Sequence, residues 1–157
     1  MCKFASFVLT KDGEFWLPRS NSHTDIIKHY GLHADGSKGP NIVKVEIVPG
    51  AKLKRFTDLA GWVFRVDQDI LPEWHDAKST EARTRAALVR RAKEGFTIVD
   101  ARGCAALTKL DATVAKYVYA SGCAALTKLD APVATYVGAS GCAALTIKAR
   151  KGLTVIR

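Results

Sequence analysis

The sequence predicts a small α+β domain followed by a short β-solenoid of three 19-residue repeats, and three observations carry that reading. Cys104, Cys123 and Cys142 recur every 19 residues, with "GCAALTKLDA" verbatim at 103–112 and 122–131 and "GCAALT" again from Gly141. A fixed short period is the mark of coils stacked in register. No such period runs through residues 1–95, where short alternating apolar runs interchange with helical patterns. The length of 157 residues and a hydrophobic fraction of 48% suffice for a real core, in one domain or a small domain with an appendage.

From the start of the chain, "CKFASFVLT" and "EFWL" read as strands joined by a turn at Asp12-Gly13. "SHTDIIKHYG" predicts a short helix, with Ser22 and Asp25 spaced as a capping box, Ile26, Ile27 and Tyr30 on its apolar face, and Gly31 as its stop. "NIVKVEIVPG" alternates as a strand ended by Pro49-Gly50, and "GWVFRV" reads as another. "STEARTRAALVRRAKEG" predicts a helix, acidic early, basic late and stopped by Gly95. The boundary is expected at 95/96, with the 80–94 helix as the N-terminal lid of the solenoid.

In the repeats the apolar positions run Phe96, Val99, Ala101, Cys104, Leu107, then Ala115, Val118, Ala120, Cys123, Leu126, then Ala134, Val137, Ala139, Cys142, Leu145. Strand alternation in "YVYAS" and "YVGAS" turns Val118, Ala120, Val137 and Ala139 inward and Tyr119 and Gly138 outward. Cys104, Cys123 and Cys142 then form a structural column of reduced, buried thiols. The third copy breaks the pattern: Lys148 replaces Leu129, and "IKARKGLTVIR" closes the array as a cap.

The spacing of residues 96–157 resembles the cysteine-containing leucine-rich repeat, LxxLxLxxCxxL. Alanines at its first and third apolar sites and the short period imply a thin coil, either a leucine-rich-like array or a narrow parallel β-helix with a second strand at "LTKLDA". The N-terminal pattern, "MCKFASFVLTKDG" through "VDQDILPEW" followed by Cys-containing repeats, resembles small uncharacterised proteins of phages and prophages. That resemblance implies an accessory or counter-defence protein acting on host machinery in the host cytoplasm.

The net charge is +9, and residues 96–157 hold eight cations against Asp100, Asp111 and Asp130. Such a balance favours anionic partners. The densest basic stretch is Arg83, Arg85, Arg90, Arg91 and Lys93, and Lys148, Arg150 and Lys151 follow near the C-terminus; together they are the candidate nucleic-acid contacts. No apolar run reaches the roughly 18 residues of a membrane span, and "FASFVL" is short for a signal peptide. A soluble, cytoplasmic chain is expected.

Catalytic and metal patterns are weak. Cys2 behind Met1 invites an N-terminal nucleophile, but Lys3 and the chain length favour strand packing. His29 and His33 straddle Gly31 and need not share a face, while His23 and His75 show no partner in the sequence. Asp67, Asp69 and Glu73 lack the glycine and later oxygens of a calcium loop. Cysteines one coil apart in a column do not form a tetrahedral zinc site. No metal or cofactor is expected.

The expectation is therefore a non-enzymatic protein that binds a macromolecular partner, most directly a protein, through Tyr117, Tyr119, Tyr136, Lys109, Lys116 and Lys128 on its outer surface, since tyrosines and cations suit interfaces. Nucleic acid is the second class of partner, and a small enzyme centred on 1–95 is the third reading. The oligomeric state is left open.

Overall fold

The Asp12-Gly13 turn gives the first hairpin, β1 (Ser6–Leu9) and β2 (Glu14–Phe15), closed by the Thr10 N–H donating to the Gly13 carbonyl at 2.9 Å. The computed structural model describes residues 4–157, so the reading of Cys2 lies outside the described residues. Contacts group the chain into two units: residues up to Val48 with Val63–Arg91, and Pro49–Trp62 with Ala92–Arg157.

In the first unit, α1 (His23–Tyr30) starts where the Ser22 hydroxyl accepts the Asp25 N–H at 3.2 Å, and it stops at Gly31, whose φ of 60° a side chain would strain. A short hairpin, β3 (Asp35–Gly36) with β4 (Gly39–Pro40), leads to β5 (Val43–Pro49), and β6 (Trp62–Val66) follows. The sheet order is β2-β1-β5-β6, with β5 antiparallel to β1 from Ser6↔Glu46 to Leu9↔Val43. Successive β1 side chains serve opposite faces: Val8 packs with Ile26 and Ile42, while Phe7 meets the Trp16 ring at 5.8 Å and the Arg91 guanidinium at 5.5 Å.

Helix α2 (Ala77–Glu94) begins earlier than its helix-forming run suggests, because the Asp76 carboxylate accepts the Ser79 N–H at 2.8 Å. Thr80, Thr84, Ala87, Leu88 and Arg91 are buried at helical spacing. Arg91 tolerates this position by donating to the carbonyls of Ser6 and Leu17 and to Asn21 Oδ1.

The second unit is the solenoid. Strands β7 (Ile98–Asp100), β9 (Tyr117–Tyr119), β11 (Tyr136–Gly138) and β12 (Thr154–Ile156) pair in parallel as one column, and β8 (Lys109–Asp111) and β10 (Lys128–Asp130) as a second. Each of the first two coils thus carries two strands, with "LTKLDA" supplying the second. Of the inward set, all but Phe96 are buried. Gly103, Gly122 and Gly141 turn each coil at φ of 77°, 81° and 77° just before its cysteine. Gly138 differs from its expected exposure: it is buried because the Tyr136 side chain lies across it, so close that an added Cβ would sit 3.4 Å from the phenol oxygen.

A coil without repeat sequence precedes the first cysteine. The Lys54 carbonyl accepts the Thr108 N–H at 3.0 Å, as Thr108 accepts Thr127, and Arg55 pairs in parallel with Lys109. The thiols follow the same rule: Cys104 donates to the Pro49 carbonyl, Cys123 to Ala101 and Cys142 to Ala120. Residues 49–56, assigned by sequence to the N-terminal domain, therefore form a stand-in coil. Phe56, Trp62 and Phe96 close it, with the Trp62 and Phe96 rings stacked at 5.9 Å and the Trp62 indole N–H on the Phe56 carbonyl.

Candidate interaction surface

The two strand columns present different chemistry outward, and they divide the six residues expected to form one surface. On the first column Tyr117 is 45% exposed, Tyr119 and Tyr136 are half-buried, and the last two rings lie 5.4 Å apart. Parallel register stacks Ile98, Tyr117, Tyr136 and Thr154 in one outward row and Asp100, Tyr119, Gly138 and Ile156 in the next. The Arg102 guanidinium is forked onto Asp100 at 2.8 and 2.6 Å and lies 5.6 Å from the Tyr119 ring, edging the patch with a fixed cation. Its hydrogen bonds to Asp100 push its pKa further up, so it stays charged. Lys116 sits exposed at the start of the same column. Ile98, 19 residues before Tyr117, follows from the repeat period; Ile156 stands 18 residues after Gly138, off that period, and Arg102, one of the eight cations of residues 96–157, is held at the patch by its pairing with Asp100.

On the second column Lys109 and Lys128 are in register and exposed, but Asp111 and Asp130 run beside them, and Lys109 Nζ lies 3.1 Å from Asp111. Arg55 extends the cation row. Here cations and carboxylates alternate, and each blunts the field of the other.

The basic residues of α2 are largely engaged inside the first unit. Arg83 donates to Glu14 at 2.6 Å and to the carbonyls of Thr10 and Gly13; Arg90 reaches the other Glu14 oxygen at 2.9 Å; Arg85 pairs with Glu81, and Arg91 is buried. Burial would raise the Glu14 carboxyl, but hydrogen bonds from Arg83 and Arg90 outweigh it and hold the group below the usual range. Lys93 is exposed, as are Lys148 and Lys151 in the third coil, whereas Arg150 donates to the carbonyls of Ala131 and Ala134.

The polar loop leaves Asp69 and Glu73 exposed, while Asp67 joins a cluster that sequence spacing does not reveal. One ligand atom from each of His23, Glu46 and Asp67 lies within 4.8 Å of the others. His23 Nε2 faces the Val45 carbonyl at 3.0 Å and Nδ1 faces Asp67 at 3.3 Å; the fully buried Glu46 carboxylate accepts from Arg65 Nε at 2.6 Å. Arg65 supplies a cation to Glu46 and His23 faces Asp67, so the group is an internally paired polar network. His29 and His33 are both exposed, on either side of the Gly31 stop.

Burial dominates the thiol column. It pushes the Cys123 thiol up to about 12, reinforced by Cys104 and Cys142, and it raises Cys104 as well. Among the described residues no helix is long and apolar enough to cross a membrane. No protein-family model matches the chain, and no curated protein or solved structure matches it.

Proposed function

We infer that the chain is a non-enzymatic interaction protein whose tyrosine-bearing solenoid column binds a protein partner. The observation that carries this reading is the in-register outward row of Tyr117 and Tyr136 beside Tyr119. Aromatic rings held by a parallel sheet lose little side-chain freedom on binding, which is the condition for an energetic anchor. Two strands per coil favour the narrow β-helix over the leucine-rich form of the array. Nucleic acid is the second reading, supported by Lys93, Lys148 and Lys151 but weakened by the engagement of Arg83, Arg90 and Arg91. The resemblance to phage accessory proteins points to host machinery as the partner class.

The test replaces Tyr117 with a photo-crosslinking phenylalanine and recovers adducts from lysate with and without nuclease. The reading requires nuclease-resistant protein adducts that disappear when Tyr119 and Tyr136 are changed to Ser. Adducts that persist in that variant, or vanish with nuclease, would reject it.

A further inference from the structure

The second strand column stops one coil early. Coil three places Lys148 where coils one and two place Leu110 and Leu129. Leu110 is fully buried, and a lysine cannot take that position without stranding its charge. The segment around Thr146–Lys148 therefore stays out of the sheet, and the outer edge of β10 is left bare.

The bare groups follow from the ladder. Lys128 N–H is bonded to Thr108, and the Asp130 carbonyl accepts Ala112 N–H, so both residues face β8. Alternation then directs the N–H and carbonyl of Leu129 to the far side. Among the described residues neither these groups nor the Thr127 carbonyl meets a backbone partner, whereas the Thr108 carbonyl, one coil earlier, accepts from both Thr127 and Lys128. A hollow of about 530 Å³ adjoins this edge, lined in part by Leu129, Lys109, Lys128, Lys148, Arg150 and Asp130.

We propose that the edge of β10 is a strand-addition site for an extended acidic segment of another protein. The guest takes the place of the missing third strand, parallel to β10, and satisfies the Thr127 carbonyl and both Leu129 groups. Alternation sets its side chains: a carboxylate beside Lys128, an apolar residue stacked on the half-buried Leu129, and an uncharged polar residue beside Asp130. The charge of the hollow selects this occupant. Lys109 is already paired with Asp111, which leaves Lys128, Lys148 and Arg150 against Asp130; this excess repels a second copy of the same edge and attracts an acidic chain. The site lies on the column away from the tyrosines and does not depend on their partner.

The probe is the peptide Thr-Glu-Leu-Asn-Ala, which is the repeat's own Thr-Lys-Leu-Asp-Ala with its charges altered, titrated to millimolar concentration into the full ¹⁵N-labelled chain. Saturable amide shifts centred on Leu129, with slowed hydrogen exchange there, are expected. Lys128→Glu should weaken this peptide about two- to fivefold, as for an exposed ion pair, and make the unaltered Lys-containing peptide the better ligand. Leu129→Pro removes the outward donor while sparing the bonds to β8, and should abolish the shifts. Absence of shifts at Leu129, equal binding of both peptides to the wild type, or a concentration-dependent dimer in sedimentation that the peptide displaces would each overturn the proposal.

Discussion

The Cys123 thiol donates to the carbonyl of Ala101, one coil earlier, at 3.0 Å. Neighbouring coils are therefore tied by side chains as well as by the strand ladder. Because the bond uses the protonated thiol, these cysteines should resist alkylation in native buffer and react only after denaturation. Cys123→Ala should cost about 1–3 kcal/mol in urea denaturation. Cys123→Ser retains a donor for Ala101 and should cost no more.

The raised Cys123 pKa also gives a pH dependence. Its stabilising contribution is complete below the unfolded value near 9 and is lost as pH rises toward about 12. Wild-type stability measured from pH 8 to 11 should fall more steeply than that of Cys123→Ala; parallel curves would place the thiol in solvent.

Glu14 titrates with the opposite sign. Its carboxyl is held below the ordinary 4.5, so its contribution is present above that value and is lost as pH falls through the lower folded pKa. Glu14→Gln should destabilise by about 1.5–3 kcal/mol at pH 7, the range for hydrogen bonds to charged groups. The gap to wild type should narrow as pH falls below the ordinary carboxylate value of 4.5, as read from denaturant midpoints.

The stand-in coil makes the repeats dependent on a distant segment. Residues 96–157 alone lack the Pro49 and Lys54 carbonyls and the Phe56 and Trp62 rings, and should be unfolded or aggregated by circular dichroism and sedimentation. Joining 49–62 to 92–157 through a Gly/Ser linker should restore a cooperative transition. Recovery without 49–62 would show that the stand-in coil is dispensable.

Gel shifts at about physiological ionic strength should show no retained DNA or RNA, because phosphate tracking needs several free cations and most of those on α2 are bound to Glu14, Glu81 or backbone carbonyls. Retention that falls steeply with salt would restore the nucleic-acid reading.

The coils were legible because each must set a small apolar residue at the same place, which leaves the Cys and Ala columns in the sequence. The stand-in coil was not, since Pro49 and Lys54 contribute carbonyls, and any residue carries one. The cap at α1 was readable from Ser22 and Asp25, whereas the capping Asp76 sits ahead of the helix-forming run and outside its pattern. Burial of Arg91 was available in principle, because it falls on the spacing of Thr80, Thr84, Ala87 and Leu88. The network of His23, Glu46 and Asp67 joins three separate segments and leaves no local signal. The six expected surface residues split because periodicity says which residues repeat, and only the second strand of each coil decides which side they occupy.

Coils one and two share one register, from Tyr117↔Tyr136 on the first column to Lys109↔Lys128 on the second. Such a coil is an interchangeable module with matching top and bottom, so the array can be lengthened by whole coils. Duplicating residues 122–140 after Ser140 should lengthen the solenoid by about 4.8 Å, the spacing of neighbouring strands, while leaving the stand-in coil and the Lys148 stop unchanged. The same duplication placed after Lys148 would ask the second column to restart beyond a bare edge, and there the added chain should remain unpaired.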